Sequence, residues 1–404
     1  MIGPSTSIPL AAVITTVWVA ACLSSTTAGQ DTTGTRVKTG YGDKGFELAT
    51  SDGNFKLQLQ SRFQFRLAAP VDNNPETFED LRDEDQVILK LNRARLKVGG
   101  HGYRPWLKFF WEYELSAGNL LDFRFMIEKY AFAKIKVGQW KVHFNRERVI
   151  SSGKQQLADR SHLNRSFTLD RQQGFSLYGQ LGNKGLASFN YWISVLTGMG
   201  RGERINDDTH LMYMARLQWN FLGDDPGFSG SDIEHHKDGA GLFAIAAVTN
   251  RSPYTRFSQD GGGQLLGFED GEPGQYRVHQ LLEETAVKYR GFAWQQELHW
   301  KQIDDRKNAA TTTLIGNYFQ LGYFFHHLWP VIPAPLEIAF RHSIYDPDQD
   351  SERDLHNEFT VCANWFFNGH LNKLTTEVTY FDMESQEAGS ASEWRFRLQW
   401  DISI

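Results

Sequence analysis

Phe55-Lys56-Leu57-Gln58-Leu59-Gln60-Ser61-Arg62-Phe63-Gln64-Phe65-Arg66-Leu67 alternates apolar and polar side chains at almost every step. Successive side chains of an extended strand leave on opposite faces. This period of two therefore sends Phe55, Leu57, Leu59, Phe63, Phe65 and Leu67 one way and Lys56, Gln58, Gln60, Arg62, Gln64 and Arg66 the other. One face is oily and the other is wet and basic. The same sawtooth closes the chain, where Trp394, Phe396, Leu398, Trp400, Ile402 and Ile404 alternate with Arg395, Arg397, Gln399, Asp401 and Ser403. It recurs between the two ends, at Leu107 to Leu115, Phe359 to Phe367 and Leu374 to Tyr380.

Strand-like segments of about ten residues begin near Phe55, Val87, Trp106, Leu121, Lys134, Gly174, Ala187, Leu211, Gly239, His279, Phe292, Leu314, Leu336, Glu358, Lys373 and Glu393. That is about sixteen, an even number, as an up-and-down antiparallel barrel requires. Gly99-Gly100-His101-Gly102 and Gly182-Asn183-Lys184-Gly185 read as tight turns, while 68–86, 145–173, 222–238, 250–277 and 346–354 read as long outside loops. A soluble sandwich or barrel would have to cover so much apolar face, and no amphipathic helix is present to do it. In lipid that face needs no cover, so the pattern predicts an all-β transmembrane barrel over residues 51–404.

Composition agrees. Mean hydropathy is -0.46, which excludes a helical membrane protein, since each spanning helix needs roughly 20 consecutive apolar residues. Aromatics reach 14%, with 29 Phe and 12 Trp, an excess that girdles at two membrane interfaces would absorb. The formal net charge of -6 argues against nucleic acid as a partner. Of the two cysteines, Cys22 lies in a leader, so no structural disulfide is expected. The apolar stretch Ile8 to Cys22, followed by small residues, predicts a signal peptide over 1–28. Val19-Ala20-Ala21-Cys22 leaves lipidation at Cys22 open as an alternative to cleavage near Ala28. Residues 29–50 show no apolar periodicity and read as a flexible lead-in.

Val137-Gly138-Gln139-Trp140-Lys141-Val142-His143-Phe144-Asn145-Arg146-Glu147-Arg148, continued by Ser151-Ser152 and by Leu157 to Ser161, resembles the signature of phosphate-selective porins of the O/P type in Gram-negative outer membranes. Leu91 to Val98 and the strand carrying Arg62 are similar to that family too, and the likeness thins over the rest of residues 50–404. The resemblance implies a sixteen-stranded barrel, a homotrimer in outer-membrane lipid, assembly by the barrel-assembly machinery, and a lumen lined by Arg and Lys. Two features depart from it: the chain ends on Ile404 rather than an aromatic, and acids exceed bases.

A pore that favours anions needs fixed positive charge in a narrow lumen. Residues 51–160 hold 19 basic and 14 acidic side chains, seven of the acids within 71–85, whereas residues 161–404 hold 20 and 31. The first strands are therefore the expected anion pathway, through Arg62, Arg66, Arg93, Arg95, Lys97, Lys108, Arg124, Lys134, Lys136 and Lys141, with Lys56 and Lys90 beside them. The segment 145–173 is the expected constriction loop, bringing Arg146, Arg148, Lys154, Arg160 and Arg165 to the narrowest point. Mixed charge that merely wets the lumen, or pairs with Glu147, Asp159 and Asp170, is the bland alternative.

The expected function is passive diffusion of small anions such as phosphate or polyphosphate, with a general or weakly cation-preferring pore as the alternative. An outer-membrane barrel hydrolase is the alternative of another class, but there is no G-x-S-x-G and no H-E-x-x-H. No cofactor is expected. The acidic run Asp346, Asp348, Asp350, Glu352 lacks the glycine and helices of a calcium loop, and His235-His236 and His326-His327 lack metal spacing, so no metal is expected either.

Overall fold

The structure is a computed structural model and describes residues 36–81, 86–182, 185–203, 205–258, 261–352, 354–385 and 389–404. The leader, Cys22 and the start of the lead-in lie outside the described residues. A short hairpin, β1 (Val37–Gly42) and β2 (Gly45–Thr50), precedes the wall strands β3 (Lys56–Ala69), β4 (Ile88–His101), β5 (Leu107–Glu114), β6 (Asn119–Tyr130) and β7 (Ala133–Lys141). The wall continues through β8 (Arg171–Leu181), β9 (Phe189–Leu196), β10 (Met212–Gly223) and β11 (Ala240–Ser252). A loop hairpin, β12 (Arg256–Ser258) and β13 (Gly261–Gly263), then interrupts it. The wall is completed by β14 (Tyr276–Tyr289), β15 (Phe292–Asp305), β16 (Ala310–Tyr323), β17 (Leu336–Asp346), β18 (His356–Asn368), β19 (Asn372–Ser385) and β20 (Gly389–Ser403).

Each wall strand pairs antiparallel with the next, and β20 pairs with β3 from Phe396 opposite Ala69 to Ser403 opposite Arg62. The sheet closes on itself as a sixteen-stranded up-and-down barrel, so no strand of the ring is left as an edge strand. All sixteen expected strands are found, each beginning within four residues of its expected start.

The alternation runs inside out compared with a soluble protein. Along β10, Arg216, Gln218 and Asn220 are buried in the lumen, whereas Tyr213, Leu217 and Trp219 are exposed. On β14 the carboxylate of Glu284 is 0% exposed and Leu281 is 54% exposed. Outward aromatics pack across neighbouring strands, as Phe65 does with Trp400 at 5.9 Å between ring centroids over the closing seam. Hydrocarbon is the solvent that suits such an outer face.

Two readings of the sequence change. Residues 37–50 form the β1–β2 hairpin, and β2 pairs with β3 from Phe46 opposite Leu59 to Ala49 opposite Lys56. It takes over the β3 edge where β20 stops, next to Ile404. A glycine sets its turn: Gly45 has φ of +79° and a Cβ there would lie 2.1 Å from the Leu59 carbonyl oxygen. The connection 224–239 was expected among the outside loops, but strand parity puts it at the barrel end that carries the tight turns 131–132, 290–291 and 369–371. It is polar because it folds back into the lumen: Gly230 N donates to Lys154 O at 2.9 Å and Ser231 Oγ to Glu337 Oε2 at 2.8 Å.

Candidate pore constriction

The segment between β7 and β8, residues 142–170, folds into the barrel and contains two one-turn helices, Arg146–Val149 and Asn164–Phe167. Its two ends are anchored by oil. Val142, Phe144 and Leu169 pack with Trp140, Trp192, Met212, Met214 and Val248 in one buried cluster, and Leu163 and Phe167 join Tyr276, Ile303, Leu314 and Tyr318 in another. Burying a side chain of this size stabilises by roughly 1.5 to 3 kcal/mol relative to exposure, so these few suffice to seat a loop that has little regular structure of its own.

Its middle is held by carboxylates of the far wall. Glu297 on β15 accepts the Glu147 N–H at 2.7 Å, Glu377 on β19 accepts the Ala158 N–H at 2.7 Å, and Glu358 on β18 accepts the His162 N–H at 2.8 Å. Glu337 on β17 accepts from the Gln156 amide at 2.7 Å. The same acids hold buried cations, Glu377 with Arg397 and Glu358 with Arg341. Within the loop, Glu147 receives the Ser161 N–H and hydroxyl, each at 2.7 Å. Burial raises the Glu147 carboxyl, Arg341 opposes that, and neighbouring Glu297 adds to it. Glu297, Glu337, Glu358 and Glu377 are thus spent on fastening the loop to strands β15 to β19 rather than on lining an open passage.

On the opposite side a cavity of about 180 Å³ remains. It is walled by Arg93 and Arg95 of β4, Lys141 of β7, Arg171 of β8, Arg148 and Arg160 of the loop, and Arg201. Among the described residues, Glu114 is the one carboxylate in its lining. Arg95 is bracketed by Glu112 at 2.8 Å and Glu114 at 2.7 Å, and Arg148 binds Asp170 at 2.6 Å. Lys141 Nζ donates to the carbonyls of Arg148 at 3.0 Å and Ile150 at 3.4 Å, neutral acceptors that leave its charge uncancelled. Arg160 likewise donates to the Glu147 and Ile150 carbonyls at 3.0 and 2.9 Å. Burial first and Arg148 second push the Arg160 guanidinium down to about 9, the electrostatic mark of crowded cations. Burial would raise the Asp170 carboxyl, but Arg148 and Arg171 outweigh it and hold it below its ordinary range.

Of the residues the sequence offered, Arg93, Arg95, Lys141, Arg148 and Arg160 meet at this cavity. Others are turned to structural use. Arg66 is bound by Asp72 at 2.9 Å and Asp159 at 2.8 Å, and Arg62 donates to the Ser151 and Ser152 hydroxyls at 3.2 and 2.5 Å, so both fasten the loop. Arg165 pairs with Glu76 at 2.5 Å. Arg146 binds the Gly227 carbonyl and lies 5.4 Å from the Phe228 ring, away from the cavity. Lys154 is exposed, its carbonyl taken by Gly230. Toward the turn end Lys108 meets Glu128 at 2.6 Å, and Arg124 pairs with Asp122 and sits 4.5 Å from the Phe110 ring. Lys136 lies over Trp140 and Tyr178, Lys134 over Tyr178, and Lys97 donates to Gln60 at 3.4 Å. Arg171 and Arg201 were missed. Arg171 opens β8 just after the loop, and Arg201 comes from a loop whose fold no local pattern announces.

Comparison with known proteins agrees with this geometry. No curated protein matches the chain by sequence. Among solved structures, the outer-membrane channel DcaP of Acinetobacter baumannii aligns over 88% of this chain and 99% of its own at TM-score 0.56 and 12% identity. An anion-selective porin from Comamonas acidovorans aligns over 86% and 99% at 0.55 and 10%. The trimer form of OmpT from Vibrio cholerae aligns over 86% and 99% at 0.53 and 10%. Such low identities speak for the barrel alone. The family model of phosphate-selective porin O and P matches residues 62–400, nearly the whole barrel and all of the inward loop, and the chain therefore belongs to that family of outer-membrane porins.

Proposed function

We propose that this porin passes small multivalent anions, phosphate being the best fit, through the basic cavity beside its inward loop, as one barrel of a homotrimer. The observation that carries the reading is the cavity lining, seven cations against one carboxylate among the described residues, in a chain whose formal net charge is -6. A ring of guanidinium and ammonium groups lowers the cost of drawing an anion from bulk water, and arginine forks match phosphate oxygens two at a time. Lys141 and Arg160 are the strongest stepping points, since their partners in the protein are carbonyls rather than carboxylates. The family description and the anion-selective porin of like fold support the anion class, and the trimer form of OmpT supports the oligomer. Lipid around the outer face and insertion by the barrel-assembly machinery follow from the same reading.

Zero-current potentials in planar bilayers under a KCl gradient test it. Anion preference is expected. A cation preference would return the chain to the alternative of a general pore.

A further inference from the structure

At the end of the barrel opposite the tight turns, the long connections enclose a second cavity, of about 970 Å³. It lies between the connection that follows β3, the stretch His162 to Ser166 of the inward loop, the β13–β14 connection and the ends of β15 to β19. None of its lining residues belongs to the basic cavity. Small-molecule sites span roughly 300 to 1,000 Å³, so this one has room for an organic solute.

Its charge is opposite to that of the basic cavity. Glu76, Glu269, Asp305, Asp348, Asp354 and Glu384 line it, against Arg165 and Arg256, and Arg165 is already paired with Glu76. Glu269 accepts from the Asn308 amide at 3.0 Å, Asp305 from the Gln275 and Asn308 amides at 3.1 and 2.8 Å, and Asp348 from the Ser351 hydroxyl at 3.3 Å. These donors are neutral and leave the charges uncancelled. Burial first, then Asp346 and Asp348, push the Asp354 carboxyl up, as crowding of anions does. Among the described residues no three His, Cys, Asp or Glu side chains are placed to hold a metal ion. The acids therefore make a spread negative field rather than a socket for a bare divalent cation.

The floor is aromatic. Tyr345 makes edge contacts with His162 at 6.1 Å and His356 at 5.5 Å between ring centroids, and Phe268 does so with Tyr276 at 5.7 Å. The His162 side chain is 4% exposed. Its Nδ1 lies 3.1 Å from Glu358 Oε2 and 3.0 Å from Ser343 Oγ. A carboxylate only accepts, so Nδ1 carries the proton of the neutral ring and Nε2 keeps a lone pair. Among the described residues that Nε2 is buried without a partner, and a ligand N–H would satisfy it.

We propose that this vestibule binds small organic ammonium ions, with an aromatic or apolar body against the Phe268, Tyr345 and histidine rings and the ammonium group among the carboxylates. Ring faces and carboxylates attract the same charge, and each alone is weak in water. An anion is repelled by this field, and a neutral sugar leaves it unbalanced. The site stands apart from the anion reading, since the two cavities share no lining residue and carry opposite charge.

Calorimetric titration of the purified wild-type protein in zwitterionic detergent tests this, with tryptamine as the probe and methylammonium, indole-3-acetate, glucose and calcium chloride as comparisons. Tryptamine should bind saturably, on the order of tenfold or more tighter than methylammonium, which lacks the ring, and than indole-3-acetate, which reverses the charge. Glu269→Gln combined with Asp348→Asn, both in surface connections, should keep the β-sheet circular dichroism of the parent and weaken tryptamine on the order of tenfold. Absence of saturable tryptamine binding, or equal affinity in the folded double variant, overturns the site. Any comparison compound bound as tightly as tryptamine overturns the ligand class, a result the wild type gives without any variant. Displacement of tryptamine by phosphate overturns the separation from the basic cavity.

Discussion

Glu377 Oε2 accepts the backbone N–H of Ala158 at 2.7 Å, joining β19 to the middle of the inward loop across 219 residues of chain. Glu377 Oε1 meanwhile receives Arg397 Nη1 at 2.9 Å. One carboxylate thus satisfies a buried guanidinium and a buried amide at once. Wall acids that look unfavourable to an anion pore work instead as anchors that position its cations.

Neutralising these anchors should loosen the loop and spare the barrel. Glu358→Gln leaves Arg341 without its main partner, and breaking a buried pair by removing one member typically costs about 3 to 5 kcal/mol. Glu377→Gln strands Arg397 in the same way. Both variants should keep the β-sheet circular dichroism of the parent and show higher conductance with more open-channel noise. Unchanged, quiet channels would mean that the loop is seated by its apolar ends alone.

Wall glycines make room for the same loop. A Cβ at Gly316 would lie 2.7 Å from the Phe167 ring, and one at Gly322 would lie 2.0 Å from the Gln156 amide. Gly316→Val should therefore displace the Asn164–Phe167 turn, and Gly322→Val the Gln156 anchor, without altering strand register. Single-channel conductance and thiol labelling at Ser166→Cys, made in a chain lacking Cys22 and Cys362, check this; labelling should be faster with either valine present.

Acid should leave the seat in place until well below neutrality. Asp170 is held below its ordinary 3.8 by Arg148 and Arg171, so its contribution is complete above that value and is lost only as pH falls through the lowered one. Glu147 runs the other way. Its raised carboxyl makes the charged form costly in the folded chain, so protonation on mild acidification adds stability. Conductance should be steady from pH 7 to about 4 and change only in stronger acid. A transition near pH 6 would contradict this expectation.

How much of this was legible follows from the kind of signal each part leaves. Strands announce themselves because lipid and lumen impose opposite demands on alternate residues, and all sixteen could be read from Phe55 to Ile404. The inward loop was legible through the run Gln139 to Arg148 and its length. The role of single cations was not. Arg66 and Arg93 look alike in sequence, yet one meets two aspartates and the other lines the cavity, a difference made by residues far off in the chain. Arg201 and the fold-back of 224–239 depend on tertiary closure and leave no local pattern.

The central claim is that anions pass by binding at the basic cavity, and single-channel current in chloride titrated with phosphate tests it most directly, for the wild type and for Lys141→Glu. Reversing one charge in such a lumen changes the binding constant on the order of tenfold. The account predicts saturable block of wild-type chloride current by phosphate, with block in Lys141→Glu requiring correspondingly more phosphate. Wild-type current indifferent to phosphate, or block equal in the two proteins, would contradict it.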